Sequence, residues 1–154
     1  IRDYKVTGVQ TCALPILFLN SQITFGQKVN EWTNYLENES VLVEYQYRNC
    51  TTDPLPDYEA IYLRLTNKTD NRISVIWDSE IYRNGKCNTC SDEYHAVIEL
   101  NPKEILEGGC GSNYNRNLRF FNDYLSDNLK NKSQTITEFK LANLQVVCSN
   151  CKEQ

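Results

Sequence analysis

Beyond Gly26 the 154-residue chain has no run of about twenty apolar residues, so nothing there is long enough to cross a bilayer as a helix. It also carries no G-x-S-x-G nucleophile elbow, no H-E-x-x-H zinc motif, no glycine-rich phosphate loop and no EF-hand string. There is one histidine, His95. Its place on the polar side of a strand-like segment reads as a surface position rather than as a general base or a metal ligand. Carboxylate pairs such as Asp92-Glu93 read as solvated turn residues. They do not suggest the acid and base of a glycosidase, which must face each other across a cleft. No catalytic residue is assigned, and an enzyme is not the expectation. Basic charge is short as well: 16 Lys and Arg against 20 Asp and Glu give a formal charge of −4 at pH 7. Without residues 1–26, which hold Arg2, Asp3 and Lys5, the balance is 14 basic to 19 acidic side chains. Nucleic-acid affinity rests largely on Lys and Arg neutralising phosphates, so nucleic acid is a poor partner for such a chain, and so is an anionic membrane.

What is present is apolar alternation at period two, the pattern of half-buried strands. Val41, Val43, Tyr45 and Tyr47 fall on one face, with Glu44, Gln46 and Arg48 on the other. Ile61, Leu63 and Leu65 repeat the pattern. After the turn formers Asn67-Lys68-Thr69-Asp70-Asn71 it resumes with Ile73, Val75 and Trp77. The two segments read as a β-hairpin whose six apolar residues line one core face. Ala96, Ile98 and Leu100 alternate in the same way before the turn Asn101-Pro102-Lys103-Glu104. Gly108-Gly109-Cys110-Gly111 reads as a flexible break. Leu118 to Leu129 fits either a strand or one short helix near 119–130. Thr135 to Cys148 reads as a long last strand bent near Ala142-Asn143. Six or seven strands without alternating helices predict an all-β antiparallel sandwich.

The chain has seven cysteines. Cys87 and Cys90 form one C-x-x-C pair and Cys148 and Cys151 another, while Cys50 and Cys110 stand apart. Disulfides are the first reading of these six, and six cysteines allow fifteen pairings. If each C-x-x-C closes on itself, Cys50 and Cys110 remain as partners. The alternative is a zinc-stabilised module, with Cys87, Cys90, Cys148 and Cys151 supplying four thiolates to one ion. A more distant alternative is a thiol-disulfide oxidoreductase, which wants its C-x-x-C at a helix N-terminus. Tyr58, Tyr62, Tyr82, Tyr94 and Tyr114, near turns or on outward positions, are candidates for a recognition surface, although tyrosine is also a common strand residue.

The seventh cysteine, Cys12, lies in Val6 to Ile16, VTGVQTCALPI, which resembles the translation of a short-read sequencing adapter. Residues 1–16 are therefore expected to be an adapter-derived artefact that contributes nothing to the fold. Leu17 to Gly26 resembles the back half of a secretory signal, with Thr24 and Gly26 as the small residues before a cleavage site at Gln27. The expected domain is residues 27–154. Its segment IYLRLTNKTDNRISVIW resembles the central hairpin of small bacterial immunoglobulin-like accessory domains. Cys50, Trp77 and Cys110 are spaced unlike those of an antibody domain. The resemblance implies an exported bacterial protein, secreted or periplasmic. Such a module would be non-enzymatic, held by disulfides and without a cofactor, and would bind a protein or a glycan.

Overall fold

The structure, a computed structural model, describes residues 30–90, 94–130 and 135–148. The adapter-like and signal-like segments and Cys151 lie outside the described residues. Among the described residues nine strands follow in order: β1 Thr33–Glu37, β2 Val41–Thr52, β3 Leu55–Asn67, β4 Ile73–Arg83, β5 Lys86–Cys87, β6 His95–Leu100, β7 Ile105–Glu107, β8 Arg119–Tyr124 and β9 Ile136–Cys148. All recorded pairings are antiparallel. The number exceeds the six or seven expected partly because β5 and β7 are only two and three residues long. No helix among the described residues is long and apolar enough to cross a membrane.

Leu118 to Leu129 is not a helix. A single 3-10 turn, Arg116–Leu118, runs straight into β8, whose Arg119 to Phe121 pair with Tyr62 to Ala60 of β3. Leu118 is fully buried and Phe120 is packed against the core cluster, so period two holds from Leu118 into β8, and the chain turns after Tyr124.

The strands form two sheets. In the first, β1, β2 and β3 lie in order. β7 and β8 share the far edge of β3, one beside Arg64 to Thr66 and the other beside Tyr58 to Tyr62. In the second, β9 runs along one edge of β4, so β6 and β5 occupy the other. The inward residues of both sheets meet in one cluster: Val41, Val43, Ile61, Leu63 and Leu65 from the first, and Ile73, Val75, Trp77, Ile98 and Leu100 from the second. This is an all-β antiparallel sandwich, with side chains alternating between the core and the outside along each strand.

One expectation is corrected here. β3 and β4 are not a hairpin: they belong to different sheets, and the segment between them is a corner. Ile61, Leu63, Leu65, Ile73, Val75 and Trp77 are all buried, but from two facing sheets rather than on one. The residue that turns the chain is Asn67, only 1% exposed. Its amide nitrogen donates to the carbonyls of Asn71 (2.8 Å), Asn101 (2.7 Å) and Leu100 (3.4 Å), and its oxygen accepts from the Thr69 amide (2.9 Å) and hydroxyl (2.8 Å). A buried amide so fully bonded ties the corner to the end of β6 instead of letting β3 fold back in its own plane. Asn67→Ala is expected to cost about 2–3 kcal/mol, because it strands buried donors and acceptors. Urea unfolding measures this, and a loss below about 0.5 kcal/mol, within the usual range for surface changes, would contradict the role given to Asn67.

Gly108 to Gly111 is likewise not a loose break. The loop lies over the outer face of the first sheet, where Cys50, Ala60 and Tyr62 have no exposed surface. Cys110 is disulfide-bonded to Cys50, with Cα atoms 5.7 Å apart, and its sulfur lies 3.1 Å from the Tyr62 hydroxyl. The Arg48 guanidinium stacks over the Tyr62 ring at 4.4 Å and donates to the Gly108 carbonyl. A Cβ on Gly108 would collide with the Leu118 carbonyl, and one on Gly109 would come within 2.6 Å of the Tyr114 ring. The glycines here serve close packing.

β9 does bend near Ala142-Asn143. Its register against β4 shifts there, and Asn143 takes a φ of 53°. Upstream of the bend the Leu141 amide donates to the Tyr35 hydroxyl of β1 at 2.8 Å, and Tyr35 stacks on Phe139.

Candidate ligand-binding cleft

The sandwich opens at the edge where β5 and β6 of one sheet approach β8 of the other. Ser79 and Ile81, inward residues of β4, stand on one side, and Phe120 of β8 stands on the other. Between them is a cleft of about 540 Å³. Arg83 lines it at the end of β4, Asn88 and Thr89 beyond β5, Tyr94 and His95 at the start of β6, and Arg116, Asn117, Arg119 and Phe121 around the 3-10 turn and β8.

The wall beyond β5 is built by one of the C-x-x-C motifs. Cys87 and Cys90 are bonded to each other, with Cα atoms 5.7 Å apart. The two residues between them are strapped to β4. The Thr89 hydroxyl donates to the Ser79 carbonyl (2.6 Å) and accepts from the Ile81 amide (2.8 Å), and the Asn88 amide donates to the Ile81 carbonyl (2.8 Å).

Arg83 crosses from one sheet to the other. Its guanidinium donates to the carbonyls of Asn122 (3.1 Å) and Phe121 (2.6 Å). Burial pushes its pKa down from the usual arginine value, against the pull of nearby Asp123. Arg119 donates to the Tyr58 hydroxyl at 3.1 Å and to the Gly109 carbonyl at 3.3 Å. Arg116 is exposed on the 3-10 turn, whose first turn is capped by the Asn115 side chain accepting from the Asn117 amide at 3.0 Å.

His95 sits beside the cleft, half exposed, with Nδ1 2.8 Å from Oδ1 of Asp78. The other oxygen of Asp78 accepts from the Asn143 amide at 2.8 Å. The Asn143 amide first, and His95 next, hold the Asp78 carboxyl below its usual range. Where a His-Asp pair activates a protein nucleophile, the histidine must reach a hydroxyl or thiol. The neighbouring Ser79 hydroxyl instead accepts the indole N–H of Trp77 at 3.0 Å.

Cys148 is not brought near the Cys87–Cys90 motif. Cys87 pairs with Tyr82 near one end of β4, and Cys148 pairs with Ile73 at the other, a separation of roughly 30 Å at the rise of a strand. Cys87 and Cys90 are therefore too far from Cys148 to share a zinc ion with it, and among the described residues no three His, Cys, Asp or Glu side chains gather into a metal site. Cys148 is itself disulfide-bonded. Within CNTC itself, Cys87 ends β5 and Asn88 and Thr89 lie in bends.

The tyrosines divide. Tyr62 is fully buried under the Gly108–Gly111 loop and so is not a recognition residue. Tyr58 is half-buried against Phe121 at 5.6 Å, and Tyr82 lies under Lys140 at 4.7 Å. Tyr94 and Tyr114 are 43% and 52% exposed, and Tyr94 alone of the five lines the cleft. Arg83, Arg116 and Phe120, which shape the cleft, carried no local signal, because they come from segments that meet only in the folded chain. No protein-family model matches the sequence, and comparison with curated proteins and with solved structures found no significant match.

Proposed function

We propose that the chain is an exported, non-enzymatic bacterial module, held by disulfides, that binds its ligand in the cleft between β4, the Cys87–Cys90 loop and β8. The observation that carries this reading is the cleft: about 540 Å³, a size typical of small-molecule sites, with apolar Ile81 and Phe120 inside and polar Thr89, Asn117 and Arg83 around them. A volume of this order suits one or two sugar units or a comparable small molecule better than a broad protein face. Export is supported by the bridges Cys50–Cys110 and Cys87–Cys90, since disulfides persist in oxidising compartments. The signal-like Leu17 to Gly26 points the same way. A heteronuclear NMR screen with small fragments tests the binding reading. Amide shifts are expected to concentrate at Ser79, Ile81, Thr89, Asn117 and Phe120. Shifts scattered over the outer faces, with none at these five, would overturn it.

A further inference from the structure

Six arginines lie among the described residues. Arg64 is paired with Glu44 and Glu107, and Arg72 with Glu99. The other four, Arg48, Arg83, Arg116 and Arg119, form no ion pair among the described residues, and three of them line the cleft. In a chain with 20 acidic and 16 basic side chains, carboxylates are in ample supply, so this grouping is not forced by composition.

Arg48 is accounted for by its stack on Tyr62. Arg83 and Arg119 spend their recorded bonds on carbonyls and a phenol, which satisfy N–H groups but leave the positive charge uncancelled. Arg83 uses two of its five N–H donors in those bonds, leaving three for another acceptor. No Asp or Glu is among the described residues that line the cleft. Asp123 is near enough to Arg83 to favour its charge, but it is not part of this lining. A guanidinium fork held against low-dielectric walls matches the paired oxygens of an oxyanion, and three arginines stand among the described residues of the lining.

We infer that the cleft holds its ligand by an oxyanion group, a carboxylate, sulfate or phosphate, seated on Arg83 and Arg116, with the ligand's apolar body against Phe120 and Tyr94. The inference rests on the cleft being the binding site.

The test is an NMR titration at constant ionic strength with four probes: sulfate, inorganic phosphate, glucuronate and uncharged glucose. At least one of the three anions is expected to shift the side-chain resonances of Arg83 and Arg116, and glucose is not. Tetrahedral anions acting without glucuronate indicate a sulfate or phosphate group, and the reverse indicates a carboxylate. Arg116→Gln, at an exposed position, is expected to weaken the anion at least ten-fold. Arg83→Gln combined with it should abolish binding, whereas Lys130→Gln, far along the chain in an exposed turn, should leave it unchanged. Because Arg83 bridges the sheets, Arg116→Gln by itself decides the matter if the double variant does not fold. Glucose binding as well as the anions, unaffected by Arg116→Gln, would keep the cleft as a binding site and overturn the oxyanion. Cleft shifts from neutral fragments with none from any anion would have the same meaning. Silence from anions and fragments alike would remove both.

Discussion

The double change Cys50→Ala/Cys110→Ala is expected to lower the stability of the domain by roughly 4 kcal/mol, the loop-closure value for residues 60 apart in sequence. Two effects add. The unfolded chain regains the freedom that the cross-link removes, and the folded chain loses the anchor that holds Gly108 to Gly111 over Cys50, Ala60 and Tyr62. Guanidinium unfolding of the oxidised parent and the double variant measures the difference. An increased m-value is expected alongside it, since an uncross-linked chain exposes more surface on unfolding. The comparison with Cys87→Ala/Cys90→Ala is informative, because that bridge closes a loop of sequence separation 3 and the same relation gives it roughly 1.6 kcal/mol. Equal losses from the two pairs would mean that chain entropy is not what these bridges contribute.

Trp77→Ala is expected to cost about 3–5 kcal/mol, a large part of the 5–15 kcal/mol that holds a typical domain folded. Trp77 is the largest of the fully buried side chains. Its removal leaves a cavity between the sheets and takes away the N–H that Ser79 accepts. Trp77→Phe, which keeps a ring in place, should cost about 1–2 kcal/mol. Fluorescence supplies an independent check. The only other tryptophan, Trp32, lies under the Arg64 guanidinium at 4.4 Å, so the blue-shifted part of the native emission is assigned to Trp77 and should vanish in Trp77→Ala. A variant that retains that emission and its full stability would place Trp77 outside the core.

Burial was legible in the sequence while partnership was not, and the corner at Asn67 shows why. Alternation at period two reports which side of a strand faces the core. Ile61, Leu63, Leu65, Ile73, Val75 and Trp77 carry the same pattern whether their strands pair with each other or face each other across the sandwich. The turn formers from Asn67 to Asn71 say that the chain changes direction, not in which plane. That choice is made by a buried amide bonded to carbonyls at the end of β6, some thirty residues further on. The stretch after Leu118 was open because its apolar residues suit two periods, and pairing of Arg119 to Tyr124 with β3 selects one of them. The bend at Asn143 was readable because short polar side chains tolerate a left-handed backbone. For the cleft nothing local was available. Thr89 is held by a disulfide loop, Arg83 by carbonyls of β8 and Arg116 by a 3-10 turn, and no spacing along the chain connects the three.

The placement of β9 also bears on how the molecule is made. Along one whole edge of β4 the partner is β9, with Ile73 against Cys148 and Arg83 against Ile136. A nascent chain that has not yet reached Ile136 lacks Phe139 and Leu141 from its interior and carries β4 with bare amides and carbonyls facing water. Such an edge is a template for the strands of other molecules, and pairings so distant in sequence are slow to form. The second sheet thus completes only after Ile136 to Cys148 has been synthesised, which makes the interval before β9 docks the period of greatest exposure to aggregation.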